Sequence, residues 1–361
     1  MSPCNAPHGI RLPFILIGLL SAATAGAAEI HGTLTVAPEF LTENPSSPYY
    51  AGSPIIDMPR RGSRQDVELK LQEDGCNAQG ILRQQVAEGH SPEYHGIANQ
   101  FYYDGAMASG LGWTVGKKVV SWGVGFGFKP LDVIQRENRR AVNPPPLVGV
   151  PLAAIERFGG RDAWTVAWTR PGQGAGESDD RDSAVALHWY RLVDSDDLHG
   201  VLRVSHRRQL EAGVGATRIV GDEWSIYGAA LYQGRGPMRP GGSYDGDAIK
   251  AVAGAQWTGE SGTSVLLEAW DDPDAPLASA TPRENLLLRV GYDDRDGFKP
   301  YLEWLVTPRD RGIVTTVGAV VDGNRQRWTF GIRQFGGGAE SAYAQAPQKR
   351  LFWLEWRLAA F

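Results

Sequence analysis

The sequence predicts an all-β protein: a transmembrane up-and-down antiparallel β-barrel of about eighteen strands, with sixteen the other number its segments allow. Three observations carry that expectation. Apolar residues recur at every second position in segment after segment, short polar turns alternate with longer connections, and aromatic residues gather near the segment ends.

Composition sets the frame. The chain has 361 residues, 42% hydrophobic and 21% charged, with 45 Gly, 23 Pro and 12 Trp. The mean hydropathy of −0.29 excludes a bundle of membrane-spanning helices. A net charge of −5 argues against a nucleic-acid partner, because neutralising phosphates requires a basic surface. Glycine, proline and aromatics at these levels suit many short strands and turns.

At the start, Arg11 precedes the apolar run Leu12-Pro13-Phe14-Ile15-Leu16-Ile17-Gly18-Leu19-Leu20, and small residues follow through Ala25-Gly26-Ala27-Ala28. A basic end, a short apolar stretch and an A-x-A site read as a signal peptide over 1–27, with the barrel over 28–361. Cys4 leaves with that peptide. Cys76 then remains alone in the turn composition Asp74-Gly75-Cys76-Asn77, so no internal disulfide is expected.

Period-2 patterning defines the strands. Ile249, Ala251, Ala253, Ala255 and Trp257 alternate with Lys250, Val252, Gly254 and Gln256. Leu286, Leu288, Val290 and Tyr292 alternate with Asn285, Leu287, Arg289 and Gly291, and Trp328, Phe330 and Ile332 with Arg327, Thr329, Gly331 and Arg333. Such segments fall near 30–40, 63–73, 78–88, 96–104, 111–121, 150–158, 163–170, 183–193 and 198–207. They continue near 211–219, 223–233, 248–258, 263–270, 283–293, 298–307, 313–321, 325–335 and 349–361. Most have the 9–11 residues that a tilted strand needs to cross hydrocarbon.

Every second connection is tight and polar: Asp74-Gly75, Gly159-Gly160-Arg161-Asp162, Asp194-Ser195-Asp196-Asp197, Asp294-Arg295-Asp296-Gly297 and Asp322-Gly323-Asn324 are examples. The connections between them, 41–62, 122–149, 171–182, 234–247, 271–282 and 336–348, are longer, and two others near 208–210 and 308–312 are short. A meander with one kind of connection at each end leaves two sheet edges, and closure pairs them. Hydrocarbon demands that closure, because it offers no partner to a bare N–H or C=O.

Trp113, Trp164, Trp168, Trp189, Trp224, Tyr232, Trp257, Tyr292, Trp304, Trp328, Phe352 and Trp356 lie in strands, many near an end and on the apolar phase, where interfacial girdles belong. The final segment, Lys349 to Phe361, is amphipathic and stops on phenylalanine, which resembles the assembly signal of bacterial outer-membrane proteins. Phe352, Leu354, Trp356 and Leu358 share a phase that Phe361 leaves, so a bulge at Ala359-Ala360 is needed to restore the alternation.

One stretch carries a family likeness. Gly116-Lys117-Lys118-Val119-Val120-Ser121-Trp122-Gly123, followed by Lys129-Pro130-Leu131-Asp132, resembles the G-[KR]-x-x-x-x-W-G and N/K-P-x-D elements of proteobacterial porin-like barrels related to alginate exporters. The resemblance implies an outer-membrane location and passage of a solute or polymer. It transfers no substrate.

If the apolar phase faces lipid, the bore receives Arg203, Lys250, Glu268, Arg289, Glu303, Arg327, Arg333, Glu355 and Arg357, together with Arg207, Arg283, Tyr301 and Arg325. Arginines in a narrow, partly desolvated pore attract carboxylates and phosphates. The competing reading is that these arginines pair with neighbouring carboxylates and stiffen the wall. The connection 122–149 is the expected constriction, presenting Lys129, Asp132, Arg136, Glu137, Arg139 and Arg140 to the solute before the stiff return Asn143-Pro144-Pro145-Pro146; the alternative is an outward-facing, solvated loop. Loop 41–62 is either a second lid or simply mobile surface.

Catalysis finds little footing. Ser205 and His206 are adjacent and so point to opposite faces, while His188 and His199 flank a tight turn and can approach, but no acid or nucleophile completes a triad. Asp179, Asp180 and Asp182, or Asp271, Asp272 and Asp274, are acidic loop clusters of the kind that either bind Ca²⁺ or are simply solvated. The expectation is an outer-membrane channel for polar, anionic solutes or a polysaccharide, needing no cofactor and having membrane lipid and the barrel-assembly machinery as partners. The alternative is a non-conducting barrel that docks within an envelope assembly.

Overall fold

The computed structural model describes residues 29–49, 59–135, 137, 147–170, 182–236, 246–274, 283–293 and 296–360. The proposed signal peptide, Arg136, Arg139, Arg140, Asp179, Asp180 and Phe361 lie outside them. The chain forms eighteen strands: β1 (Glu29–Glu43), β2 (Arg61–Glu73), β3 (Cys76–Ala87), β4 (Glu93–Ala106), β5 (Leu111–Lys118), β6 (Val150–Phe158), β7 (Asp162–Thr169), β8 (Ala184–Val193) and β9 (Asp196–Ser205). The second half runs β10 (Gln209–Val220), β11 (Trp224–Gln233), β12 (Ala248–Thr258), β13 (Thr263–Asp271), β14 (Glu284–Tyr292), β15 (Phe298–Thr307), β16 (Gly312–Asp322), β17 (Gln326–Gly337) and β18 (Gln348–Ala359).

Each strand pairs antiparallel with its sequence neighbours, and β1 closes the sheet on β18, with Leu34 opposite Leu358 and Phe40 opposite Phe352. This is the transmembrane meander barrel, with eighteen strands rather than sixteen. Every segment expected from the sequence is present. Several boundaries shift by two or three residues: β1 runs on to Glu43 and β4 begins at Glu93, while β5 ends at Lys118, because the backbone N–H of Val119 already turns to the Gln100 side chain, and β18 ends at Ala359. The irregularity in the β1–β18 pairing lies at Thr42/Glu43.

The tight turns sit together at one end. Asp74 and Gly75 both have positive φ, 40° and 82°, as a two-residue hairpin turn of the strands' own twist requires, and a Cβ at Gly75 would lie 2.3 Å from the Asp104 carbonyl oxygen. Just inside that end, large aromatics pair across strands on the outer face: Trp164 opposite Trp189, Trp224 opposite Trp257 and Trp328 opposite Trp356. Val115, Val166, Val185, Val214, Ile249 and Val317 add an exposed aliphatic band on the same face. The alternation therefore puts apolar side chains outside and leaves Arg203, Lys250 and Glu268 inside, each no more than 1% exposed.

The inner wall is not uniformly polar. Leu152, Ala154, Ala167, Ala186, Val201, Leu231, Val252, Leu266, Leu287, Leu305 and Val314, on the inward phase of β6–β9, β11–β16, form one buried apolar track. It receives the connection between β5 and β6. Across the bore, β18, β2 and β3 carry a charged wall in which Asp66 binds Arg83 through two hydrogen bonds of 2.8 and 3.0 Å and meets Arg64 at 3.2 Å.

Candidate functional site: the inward-folded segment

The connection after β5 runs into the barrel because of its own alternation. Trp122, Val124, Phe126 and Phe128 are spaced by Gly123, Gly125 and Gly127, so one side of the segment is apolar and the other bare backbone. The apolar side packs on the inner track, joined by fully or nearly fully buried Leu131, Val133 and Ile134. Where the segment passes β10, Gly213 and Gly215 leave the room: a Cβ on either would lie within 2.9 Å of a Leu131 methyl.

Both ends are held by β4. Its pairing with β3 skips from Gln100 to Ala98, leaving Asn99 as an extra residue whose carbonyl accepts the Gly149 N–H at 2.9 Å. The neighbouring Gln100 side chain accepts the Val119 N–H at 3.1 Å. Gln135 ties the two limbs together, accepting from Val120 N–H and donating to the Val148 carbonyl.

Two carboxylates hold the rest. Asp132, 3% exposed, accepts the N–H groups of Trp122 and Gly123 at 2.6 Å each and the Ser121 hydroxyl. Burial pushes its carboxyl above the ordinary range, against the pull of Lys129 and of those hydrogen bonds. Glu268 on β13 accepts the N–H groups of Phe126, Gly127 and Phe128 at 2.5, 2.8 and 3.2 Å, and the Tyr227 hydroxyl at 2.5 Å. Gly125 makes this possible: its φ of 125° turns three successive N–H groups toward one acceptor, and a Cβ there would lie 2.0 Å from the Phe128 carbonyl.

The residues expected at the constriction thus divide. Asp132 is engaged with the segment's own backbone, because a buried carboxylate needs donors and the turn supplies them. Lys129 is partly exposed and donates to the Ser121 hydroxyl at 3.1 Å. Glu137 is described and half-buried, whereas Arg136, Arg139 and Arg140 are not described. Glu268, expected simply to face the bore, does so and clasps the segment's tip.

The other expected bore residues lie on the inward phase. Arg289 sits between rings, its guanidinium 5.1 Å from the Phe126 ring centre and 4.1 Å from that of Tyr301. Glu303 meets Arg289 at 3.3 Å and Arg333 at 3.8 Å, and Arg333 also donates to the Thr316 hydroxyl. Glu355 joins Arg64 and Arg357, each at 3.2 Å, and Arg327 pairs with Asp322 at 3.0 Å. Nearer the end with long connections, Arg203 binds Glu211, while Lys250 and Arg208 converge on Asp274. Asp271 takes Arg283, so these acidic loop residues meet cationic side chains.

A second inward element escaped sequence reasoning. The segment between β17 and β18 turns back over the mouth, and Tyr343 packs against Phe335 and the inner apolar track. It is clasped from loop 41–62: Asn44 donates to the carbonyls of Ala344 and Ala346 at 2.7 and 2.9 Å, and Ser47 to that of Gln345 at 2.8 Å. Asp310 accepts the Ala342 and Gly312 N–H groups at 3.0 Å each. Asn44 and Ser47 are buried here, and no local feature of the sequence marks them so. Residues 50–58 of loop 41–62 are not described.

No family model matches the chain, and no curated protein matches it. These comparisons give no support to the resemblance to alginate exporters. Solved structures do match: two engineered variants of the Rhodopseudomonas blastica porin superpose with a TM-score of 0.50, at 13% and 12% identity, over 92% of this chain and 99% of theirs. At that identity the likeness is one of fold.

Proposed function

We propose that this barrel is an outer-membrane channel for polar solutes, narrowed by the segment 119–135. One observation carries the reading: a carboxylate on the barrel wall, Glu268, holds the tip of that segment inside the bore, so Phe126 lies against Arg289. A wall that spends a buried charge on three backbone N–H groups is built to keep an obstruction in one place. The apolar outer face and its aromatic pairs support a membrane setting, with lipid and the barrel-assembly machinery as partners. The porin fold of the matched structures agrees.

Selection for anions, whether small solutes or a polysaccharide, follows from the group beside Phe126. Two arginines, Arg289 and Arg333, face one carboxylate, Glu303. In a narrow bore this concentration of guanidinium favours carboxylate and phosphate groups. The carboxylates nevertheless pair with most of the bore's arginines, so the preference is set locally.

The non-conducting alternative draws on the clasped segment 338–347, which covers part of the mouth. Planar-bilayer recording separates the two readings. A channel gives discrete conductance steps, with a reversal potential under a KCl gradient that moves toward cations in R289A and R333A; absence of steps from correctly folded protein overturns the channel reading. Heat-dependent mobility on a denaturing gel reports the folded barrel.

A further inference from the structure

Beneath the inward segment, on the inner wall, two histidines meet. His188 of β8 and His199 of β9 both point inward, and His188 Nε2 lies 3.2 Å from His199 Nδ1. Their rings are nearly parallel, 20° apart, and Trp122 from the inward segment lies over the outer ring face of His188 at 5.0 Å and 10°. Gly215 stands opposite His199 across the β9–β10 pair, and Leu131 and Val124 of the inward segment fill the space that its missing side chain leaves. On the same face, Asp197 accepts the Tyr190 hydroxyl, which places an anionic group two residues from His199.

We propose that His188 and His199 form a two-histidine site for a divalent transition-metal ion of the copper, nickel and zinc class. Two imidazole nitrogens on one tetrahedral metal, each at about 2.0–2.1 Å, stand about 3.3 Å apart; the observed separation of 3.2 Å is close to that spacing, and since the nitrogens now face one another along a hydrogen bond, both rings must turn to aim at one ion. Neutral imidazole nitrogens suit these ions, whereas Mg²⁺ and Ca²⁺ require oxygen ligands. Among the described residues no group of three or more His, Cys, Asp or Glu side chains is placed to hold a metal, so the protein supplies two ligands and water the rest. Occupancy replaces the His188–His199 hydrogen bond by two bonds to the ion and re-aims the ring on which Trp122 rests. The site thus links metal binding to the segment that narrows the bore. It stands whether or not the barrel conducts.

The test is calorimetric titration of the chelator-washed, detergent-solubilised barrel with CuCl₂, NiCl₂ or ZnCl₂ alone. His31, His90, His95 and His206 are exposed and set the background, so the readout is the difference between the parent and H188A or H199A. One equivalent per chain, tightest for Cu²⁺ and indifferent to Mg²⁺ and Ca²⁺, is expected. Each variant should weaken it by more than about tenfold, the scale on which even a supporting group acts. H188Q and H199Q, which keep the side-chain volume more closely, serve where alanine perturbs assembly, and gel mobility before and after boiling verifies folding. Cu²⁺ should also quench Trp122, a component absent in W122F although binding persists. Unchanged stoichiometry and affinity in folded His188 and His199 variants would overturn the proposal and leave the pair as a hydrogen bond only.

Discussion

Glu268 accepts the backbone N–H of Phe126 at 2.5 Å, a contact between residues 142 positions apart that fixes the tip of an otherwise loop-like segment to the barrel wall. Its neighbours Gly127 and Phe128 donate to the same carboxylate, so one side chain satisfies three consecutive N–H groups in the interior.

Removing that acceptor should free the segment. E268A leaves three N–H groups and the Tyr227 hydroxyl without their partner, at a cost of about 1–3 kcal/mol for each group that finds no replacement or water. Open-channel current noise should rise and the thermal unfolding midpoint fall. E268Q, which keeps one accepting oxygen, should lie between parent and alanine. A quiet, parent-like E268A trace would show that the apolar packing alone holds the tip.

Gly125 offers a complementary probe. Alanine there must adopt a φ near 125° with its Cβ 2.0 Å from the Phe128 carbonyl, so the turn has to open. G125A should reproduce the noise of E268A, and the double variant should be no worse than either alone, because both act on the same contact. Additive effects would separate the two.

Charge balance near the tip is testable through Glu303. In E303Q the arginines Arg289 and Arg333 lose the carboxylate they share, and the local potential becomes more positive. Anion over cation permeability, read as reversal potential, should increase, the opposite of the shift in R289A. The change should shrink at high salt, where the Debye length falls to about 3 Å.

Acid should release the mouth through Asp310. Burial raises its pKa, but hydrogen bonds from the Thr307 hydroxyl and from the N–H groups of Ala342 and Gly312 outweigh that, and the carboxyl is held below its ordinary value of 3.8. A lowered pKa in the folded state means the contribution is present above the unfolded value and is lost as pH falls through the folded one. Protection of the Ala342 amide from hydrogen exchange should therefore collapse only below about pH 3.8. D310N should remove that dependence.

The strands were legible because their signal is local. In β12 the alternation from Ile249 to Trp257 states which side chains share a face, and no other part of the molecule is needed to read it. The turns were legible for the same reason, as Asp74-Gly75 shows with its two positive φ values. The inward segment was half legible: its glycines and apolar residues marked a stretch that folds against the wall, but the partners of Asp132, the N–H groups of Trp122 and Gly123, were not readable. A carboxylate reads identically whether it meets a solute or the N–H of Trp122.

By itself, then, the sequence determined the barrel: period-2 alternation, turn chemistry and outward aromatics are properties of neighbours along the chain. Tertiary structure alone decided what fills the bore. Glu268 meets Phe126, Asn44 meets Ala344 and His188 meets His199 only after closure brings distant strands and loops to one place, and the partner of a buried polar group is chosen there by whichever donor or acceptor lies within reach.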